Sequence, residues 1–330
     1  MKGIIRTGDG GPEVLKLADV PEPRPGPKQL LISVKATALN RADMLQRQGL
    51  YPPPSGESEI LGLELAGAVE AMGAEVQGFK RGDHVFGLVG GGSYAEQALI
   101  DYRMAMQMPK DWSFEQAAAV TEVFFTANET LFTLGGLQAG ETALIHAGGS
   151  GVGTAGTQMA HQAGARVFIT AGSPDKIEKC KQLGCTAGIN YKEEDFTTEI
   201  MRLTDGKGVD VVQDFIGAPY LERNLSILKP RGRLIIVGLM GGATAEINLG
   251  QILRKRLQIF GSVMRSLPLE EKIHITQRFV DRWLLLLKAG KIRPIIDCVM
   301  PLAQAREAHE YMEANRNFGK IVLRIDEKGL

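Results

Sequence analysis

A glycine-rich segment at residues 146–156 has the spacing that points most clearly to chemistry. It reads His-Ala-Gly-Gly-Ser-Gly-Val-Gly-Thr-Ala-Gly and stands between a predicted strand and a predicted helix. A pyrophosphate can approach backbone N–H groups at such a helix N-terminus only where no Cβ blocks it. Two registers are open: G-x-G-x-x-G from Gly151, or Gly-x-Ser-x-x-Gly from Gly148, which we prefer because it begins at the strand end. Both registers predict a dinucleotide site.

The end of the next predicted strand decides between the two nicotinamide dinucleotides. An NAD site usually carries Asp or Glu there, about 20 residues after the glycines, to bind the ribose 2′-hydroxyl. Here the strand is followed by Gly172 and Ser173, with Lys176 within one helical turn, and Tyr191 ends the following strand. A hydroxyl, an ammonium and a phenol suit a dianionic 2′-phosphate. The sequence therefore predicts NADPH as the cofactor.

We expect no metal ion, because the histidines and cysteines do not form a ligand set. A catalytic zinc needs three protein ligands, and no two histidines have H-x-x-x-H spacing. Cys180 and Cys185 are expected to be buried and inert, and His146 to be a hydrogen-bonded structural residue. No G-x-S-x-G nucleophile motif is present. The chemistry must therefore come from the dinucleotide.

Strands and helices alternate in the part of the chain that contains the glycine-rich segment. Helices of about ten residues between short apolar strands indicate a parallel sheet with helices on both faces, and six strands complete a doubly wound Rossmann sheet. The six predicted strands are 142–147, 166–170, 187–191, 209–214, 233–238 and 257–261.

The flanking parts of the chain follow a different pattern. Residues 1–111 contain short extended runs separated by Gly and Pro turns, without a helix-length pattern, which is typical of an antiparallel barrel or sandwich. After the last sheet strand we predict a helix at 269–289, a helix at 302–314, and strands on either side of it. We expect this tail to fold back onto the barrel. The prediction is a discontinuous barrel domain of residues 1–122 and 266–330, and a dinucleotide domain of residues 123–265.

Composition excludes several classes of protein. The chain has 330 residues, enough for about two domains, with 38 Lys+Arg against 38 Asp+Glu. Zero net charge argues against nucleic acid or an anionic membrane as the main partner, and the run Arg254-Lys255-Arg256 is expected to be a solvated surface. No apolar stretch approaches the ~20 residues of a membrane span, and the N-terminus lacks a secretory signal pattern. With three cysteines and no disulfide framework, we expect a cytoplasmic protein.

Nine segments spread along the chain resemble the zinc-free quinone oxidoreductase branch of the medium-chain dehydrogenase/reductase family. Within that branch they are most similar to the tumour-suppressor-inducible NADPH quinone oxidoreductases of animals and their bacterial relatives. Two departures separate the sequence from the zinc alcohol dehydrogenases of the same superfamily. Their Cys-containing turn is Asn40-Arg41-Ala42-Asp43 here, and their Gly-His-Glu is Gly62-Leu63-Glu64. The nine segments are 38–43, 46–49, 51–54, 60–64, 146–155, 170–173, 238–242, 311–315 and 319–323.

The resemblance implies a GroES-like barrel as the catalytic domain, and it implies roles for individual residues. Asn40 and Tyr51 would border the nicotinamide and the substrate. The pyrophosphate would be held by Gly148, Ser150, Gly151, Val152 and Gly153, and the adenosine ribose phosphate by Gly172, Ser173, Lys176 and Tyr191. The nicotinamide side would be lined by Gly238, Leu239, Met240 and Gly241, with Asn317 and Lys320 as further cofactor residues near the C-terminus.

We expect zinc-independent hydride transfer from C4 of NADPH to a quinone, in particular an ortho-quinone, held between the two domains. The hydroquinone anion spreads its charge over the ring, so it needs less stabilisation than a localised alkoxide. Tyr51 would donate a hydrogen bond to this anion, and Asn40 would position the ring. Two alternatives remain: an enone or enoyl reductase with the same hydride chemistry, and a non-catalytic NADPH-binding protein. A homodimer joined at the sixth-strand edge of the sheet is also expected.

Overall fold

The computed structural model describes residues 1–325. The chain folds into two compact units. The first unit consists of Met1–Val123, Arg265–Asp281 and the segment that starts at Pro294, and the second unit consists of Phe124–Met264 and Arg282–Arg293. Among the described residues, no helix has both the length and the apolar composition needed to cross a membrane.

The regular elements are numbered in chain order. The strands are β1 (Lys2–Arg6), β2 (Leu15–Asp19), β3 (Gln29–Ala38), β4 (Glu64–Met72), β5 (His84–Leu88), β6 (Gln97–Asp101), β7 (Ala105–Gln107), β8 (Thr142–Ile145), β9 (Arg166–Ala171), β10 (Ala187–Asn190), β11 (Val209–Asp214), β12 (Leu228–Ile236), β13 (Gln258–Gly261), β14 (Ile296–Pro301) and β15 (Lys320–Arg324). The helices are α1 (Arg41–Arg47), α2 (Phe114–Ala118), α3 (Thr121–Ala127), α4 (Gly151–Gln162), α5 (Pro174–Gln182), α6 (Phe196–Leu203), α7 (Leu221–Ile227), α8 (Leu249–Lys255), α9 (Leu269–Phe279), α10 (Leu285–Lys288) and α11 (Ala305–Glu313).

The second unit contains the predicted six-stranded parallel sheet. Its strand order is β10-β9-β8-β11-β12-β13, so the order reverses between β8 and β11. In doubly wound sheets, ligands bind beside the carboxyl ends of the strands at this reversal. Phe168 and Leu234 of the sheet pack with Phe196 of α6 and Leu225 of α7 in one buried apolar cluster. The doubly wound prediction is confirmed.

The first unit is built on a seven-stranded sheet that is mostly antiparallel, as predicted for residues 1–111. Strand β3 pairs with β4, β6 and β15, and register shifts at Leu31/Ile32 and Val34/Ala36 let this ten-residue strand bend between its partners. The pairing of β15 with β3 places Val322 opposite Ala38. Within the first unit, the C-terminal strand β15 thus pairs with a strand from the N-terminal part of the chain.

Helix α1 lies in a region where we predicted only strands, and that expectation is wrong. The Asp43 carboxylate accepts a hydrogen bond of 2.7 Å from the Asn40 N–H, which is one half of a capping box at the helix N-terminus. With only seven residues, α1 is too short to show a helical period in the sequence.

Helix α8 also lies outside the predicted elements, and it changes the interpretation of the basic run at 254–256. Lys255 is partly buried, and its Nζ donates to the backbone oxygens of Leu225, Ser226 and Leu228 at 3.1, 2.7 and 2.9 Å. Burial lowers its pKa. Lys255 therefore satisfies carbonyls at the end of α7, and the prediction of a solvated surface is wrong for this residue. Its neighbours Arg254 and Arg256 are exposed.

The structure groups the segment Arg282–Arg293 with the second unit, whereas the predicted boundaries placed it in the barrel domain. Trp283 donates through Nε1 to Asn128 at 2.8 Å, and its ring centre is 4.8 Å from that of Phe132. The side chain of Gln158 accepts from the Arg293 N–H and donates to the Arg293 carbonyl, both at 3.0 Å. A π-helical turn, Val280–Leu284, interrupts the predicted helix 269–289 next to these contacts.

Candidate functional site

The glycine-rich segment forms the turn between β8 and α4 in the second unit. Ser150 caps α4, because its Oγ accepts from the Gly153 N–H at 3.0 Å. A Cβ on Gly148 would lie 2.6 Å from Cβ of Ile169, and a Cβ on Gly153 would overlap the Ala147 carbonyl oxygen. These two glycines belong to the register that we preferred. The close packing of these glycines holds the first turn of α4 at the carboxyl ends of the strands. The N–H groups of Gly151 and Val152 in this turn have no partner within the helix.

His146 lies beneath this turn as a structural residue. Its Nδ1 is 3.0 Å from Oγ1 of Thr170 and its Nε2 is 2.8 Å from Oδ1 of Asn224. Burial lowers the pKa of His146 to about 4, so the imidazole is neutral at pH 7. The prediction of a hydrogen-bonded structural histidine is confirmed.

A second group of predicted cofactor residues meets at the ends of β9 and β10. Ser173 caps α5 by accepting from the Lys176 N–H at 3.4 Å. A Cβ on Gly172 would lie 2.7 Å from the Tyr191 hydroxyl and 3.2 Å from Cε of Lys192. Tyr191 and Lys192 therefore cover Gly172, which must lack a side chain to allow it. Lys192 was missed in the sequence, although it directly follows Tyr191 at the strand end.

The chain segment that contains Gly172 carries no carboxylate. It reads Thr-Ala-Gly-Ser-Pro from position 170 to position 174. The next acid, Asp175, forms an ion pair of 2.9 Å with Lys179 on the exposed side of α5. The charge and hydrogen-bonding capacity at this corner therefore suit an anion rather than a neutral hydroxyl.

The loop after β12 is held against the residues that follow β11. The N–H of Met240 donates to the Phe215 carbonyl at 3.1 Å, and the N–H of Gly241 donates to the Ile216 carbonyl at 2.8 Å. Leu239 and Met240 are about half exposed. The predicted residues Gly238–Gly241 thus lie at the carboxyl ends of the strands, as does the turn before α4.

In the first unit, Asn40 is the centre of a buried polar cluster. Its Nδ2 donates to Oε1 of Glu64 at 3.0 Å and to the Ala38 carbonyl at 3.2 Å, and its Oδ1 accepts from Nζ of Lys320 at 2.6 Å. Both amide protons are therefore used inside the unit. The orientation of the amide is fixed by an acid on one side and a cation on the other.

Glu64 and Lys320 form a buried ion pair of 2.8 Å, with their side chains 0% and 3% exposed. The second carboxylate oxygen of Glu64 accepts from Thr121 Oγ1 at 3.2 Å and from the Glu122 N–H at 2.9 Å. Lys320 also donates to the Leu39 carbonyl at 2.7 Å. With Asn40 and Glu64 as its other acceptors, the Lys320 ammonium has no proton left for a ligand in this arrangement.

Two further predicted positions have local roles in the first unit. Asn317, which we predicted as a cofactor residue, donates through Nδ2 to the Gly319 carbonyl at 2.8 Å. Leu63, which stands where the zinc enzymes have a histidine, is buried and has no atom that could bind a metal. Among residues 1–325 no three His, Cys, Asp or Glu side chains are grouped so that they could hold a metal ion.

The two cysteines of the second unit are buried and protonated. Cys180 and Cys185 are free thiols and both are buried. Burial raises the pKa of Cys180 to about 12 and that of Cys185 to about 11, so both remain protonated at neutral pH. The prediction that both cysteines are buried is confirmed, and a protonated thiol is a weak nucleophile.

Asp43 lies behind Asn40 and is buried completely. Its carboxylate accepts from the Gly62 N–H at 3.1 Å and from the Tyr94 hydroxyl at 3.3 Å, in addition to the Asn40 N–H. Burial raises the pKa of Asp43 to about 6, against the opposing effect of Lys320 and Arg265. The acid therefore fixes the turn before α1 to the segment that precedes β4.

Tyr51 lies in an irregular loop of the first unit and is partly buried. Its carbonyl accepts from Nη1 of Arg265 at 3.2 Å, and the guanidinium carbon lies 5.5 Å from the centre of the Tyr51 ring. Burial raises the pKa of Tyr51, Arg265 lowers it and Glu122 raises it further. The phenol is therefore protonated at neutral pH and can donate a hydrogen bond. Arg265 could not be found from spacing, because it is 214 positions from Tyr51.

Comparison with known proteins agrees with both units. Residues 26–110 match the alcohol dehydrogenase GroES-like domain family, and residues 151–282 match the zinc-binding dehydrogenase family. The chain is 36% identical over 322 residues to a quinone oxidoreductase of Pseudomonas aeruginosa, and the match covers 95% of this chain and 96% of the relative. The GroES-like prediction for the barrel is confirmed.

Two solved structures extend the likeness over the whole fold. The Escherichia coli quinone oxidoreductase complexed with NADPH has a TM-score of 0.89 at 31% identity, and the match covers 98% of this chain and 100% of that one. A structure described as an NAD-dependent alcohol dehydrogenase has a TM-score of 0.88 at 34% identity, covering 99% and 100%. The resemblance found in the sequence is thus confirmed, and the chain belongs to the quinone oxidoreductase branch of the medium-chain dehydrogenase/reductase family.

Proposed function

We propose that this chain is an NADPH-dependent quinone oxidoreductase. The observation that carries the cofactor assignment is the corner where Tyr191 and Lys192 cover Gly172, in a segment, residues 170–174, that contains no acid. A phenol hydroxyl, an ammonium and the Ser173 hydroxyl can hold the 2′-phosphate that distinguishes NADPH from NADH. The quinone assignment is supported by the family to which the chain belongs.

NADPH, when bound, supplies a hydride from its C4 position. Ser150, Gly151, Val152 and Gly153 would hold the pyrophosphate through the N–H groups and the cap of α4. Gly172, Ser173, Lys176, Tyr191 and Lys192 would hold the adenosine ribose phosphate. Gly238, Leu239, Met240 and Gly241 would line the nicotinamide side, where the half-exposed Leu239 and Met240 offer apolar contact to a ring.

In the first unit, Tyr51 acts on the quinone. Adding a hydride to a quinone gives a hydroquinone monoanion, and a proton completes the reduction. The Tyr51 hydroxyl donates a hydrogen bond to the oxygen on which charge develops. We propose ortho-quinones as the preferred class, because the catechol monoanion has an internal hydrogen bond between its adjacent oxygens and so needs few external donors. Asn40 positions the reacting rings.

Replacing Lys192 tests the cofactor assignment. We expect Lys192→Ala to raise KM for NADPH about tenfold and to leave KM for NADH within about twofold, since only the 2′-phosphate loses a partner. Steady-state kinetics with both cofactors measures this. Lys207→Ala is the matched control. Lys207 is exposed and precedes β11, so it lies at the amino ends of the parallel strands, away from the proposed cofactor site. Equal effects on the two cofactors would contradict the assignment.

Replacing Tyr51 tests the catalytic role. With an ortho-quinone, we expect Tyr51→Phe to lower kcat about tenfold with little change in KM, and Tyr51→Ala to lower kcat/KM further. Because the pKa of Tyr51 is raised, the wild-type kcat should show no loss from ionisation of this phenol up to about pH 9. Unchanged turnover in both variants would remove Tyr51 from the mechanism.

The same assay tests the reaction itself. Wild-type protein should oxidise bound NADPH in a single turnover when an ortho-quinone is added, and a protein that only binds NADPH would oxidise none. Conjugated enones are measured beside the quinone. A higher kcat/KM for the enones would replace our proposal with that of an enone reductase.

The Glu64–Lys320 pair is expected to orient Asn40 rather than to stabilise the fold. Lys320→Met should lower the free energy of unfolding by about 3–5 kcal/mol, because it leaves the Glu64 carboxylate buried and unpaired. The double variant Glu64→Gln/Lys320→Met removes both charges and should recover most of that loss, whereas kcat should remain low because the Asn40 amide has lost its fixed partners. Thermal unfolding and kinetics measure the two effects. Recovery of kcat together with stability would show that the pair is only structural.

We also propose a homodimer formed at the edge strand β13. This strand ends the sheet order, and Val263 just beyond it is 52% exposed. Light scattering at micromolar concentration should give twice the 35.8 kDa mass of the chain. Val263→Arg should raise the dissociation constant about tenfold or more, because a two-fold axis would bring the two added charges together. A wild-type mass of one chain would contradict the dimer.

A further inference from the structure

The loop that carries Tyr51, residues 51–60 (the Tyr51 loop), packs on a glycine turn at residues 90–92 in the first unit. The Gly92 N–H donates to the Ile60 carbonyl at 2.7 Å. A Cβ on Gly91 would lie 2.6 Å from the Ser58 carbonyl oxygen, and Gly92 has a φ of +98°. Glycines are therefore required here both for the close approach and for the backbone conformation.

One side chain joins the loop and the turn. Arg265 donates through Nε and Nη2 to the Gly90 carbonyl, at 3.0 and 2.8 Å, and through Nη1 to the Tyr51 carbonyl at 3.2 Å. The residue is only 7% exposed. The planar guanidinium fork reaches both carbonyls at once, which the single ammonium of a lysine does less well.

The charge of Arg265 also faces the Tyr51 side chain. The guanidinium carbon lies 5.5 Å from the ring centre, within the range of a cation–π contact. Three acids, Asp43, Glu57 and Glu59, favour the charged form of Arg265 against the effect of its burial. Several neighbouring carboxylates thus stabilise the positive charge that Arg265 places beside the phenol.

We propose that Arg265 is a positioning residue for Tyr51: it docks the Tyr51 loop on the glycine turn and holds the phenol where it can donate to the quinone oxygen. Its effect on catalysis rests on the proposed function, in which Tyr51 contacts the quinone. The docking of the loop does not depend on any activity. These two parts are measured separately.

Hydrogen–deuterium exchange measures the docking. In Arg265→Met, peptides covering residues 51–60 and 90–92 should exchange about tenfold faster or more, because the Gly92 N–H and the Glu57 N–H, which donates to Pro54 at 3.1 Å, lose their fixed surroundings. Arg306→Met is the matched control, since Arg306 is exposed on α11 and pairs with Glu310 at 3.1 Å. Unchanged exchange in Arg265→Met would overturn the proposal.

A double-mutant cycle measures the effect on Tyr51. Arg265→Met should lower kcat/KM for the ortho-quinone about tenfold to a hundredfold while KM for NADPH stays the same, and Arg306→Met should have no effect. In a Tyr51→Ala background, Arg265→Met should cost less than about twofold, because there is no phenol left to position. Equal losses in both backgrounds would show that Arg265 does not act through Tyr51.

Arg265→Lys covers the case in which Arg265→Met does not fold. It keeps the charge and loses the fork, so it should show intermediate exchange in the Tyr51 loop and an intermediate kcat/KM. Wild-type values for both would overturn the proposal. If the wild-type protein oxidises no NADPH with a quinone, the proposed function fails and the catalytic part of this inference fails with it, whereas the exchange data still decide whether Arg265 docks the loop.

Discussion

The buried ion pair between Glu64 and Lys320 is the constraint on which the geometry of the polar cluster in the first unit depends. It joins the start of β4 to the start of β15, and it fixes the amide of Asn40 between them. Two charges in an apolar interior are costly unless their remaining hydrogen-bonding capacity is used. Here the backbone and Thr121 complete the set around Glu64, and the Leu39 carbonyl completes it around Lys320. The pair connects two segments of this discontinuous unit, because its cation lies on the C-terminal strand.

In the second unit the constraint is different: the turn before α4 must let a ligand come close to the protein backbone at the carboxyl ends of the strands. Gly148 and Gly153 are required by the packing of the turn itself, so their presence alone does not identify a ligand. Our cofactor proposal rests instead on the corner where Tyr191 and Lys192 cover Gly172. We therefore propose that the glycine turn holds the dinucleotide and that the Tyr191–Lys192 corner selects NADPH.

Periodic patterns and short motifs in the sequence predicted those parts of the fold that depend on residues close together in the chain. The parallel sheet, the glycine turn and all of the sheet's helices except α8 have a short period or a short motif, and the structure has them within a few residues. Helix α1 was missed because its seven residues are shorter than two turns. The contacts of Asn40 with Lys320, 280 positions away, and of Tyr51 with Arg265, 214 positions away, leave no local trace. Such pairs become visible only when the β3–β15 pairing and the loop packing are known.

The charges around Asn40 and Tyr51 explain why these distant residues are needed together. Two buried carboxylates, Asp43 and Glu64, face two buried cations, Arg265 and Lys320, and each acid is within the field of at least one cation. Removing one member leaves an uncompensated charge in a medium where that charge is poorly solvated. The balance also constrains the chemistry. Lys320 is fully engaged by its three acceptors, so it can orient Asn40 but cannot serve as a proton donor. We therefore propose Tyr51 as the donor to the oxygen on which negative charge develops, because its phenol keeps its proton and lies beside the Arg265 cation.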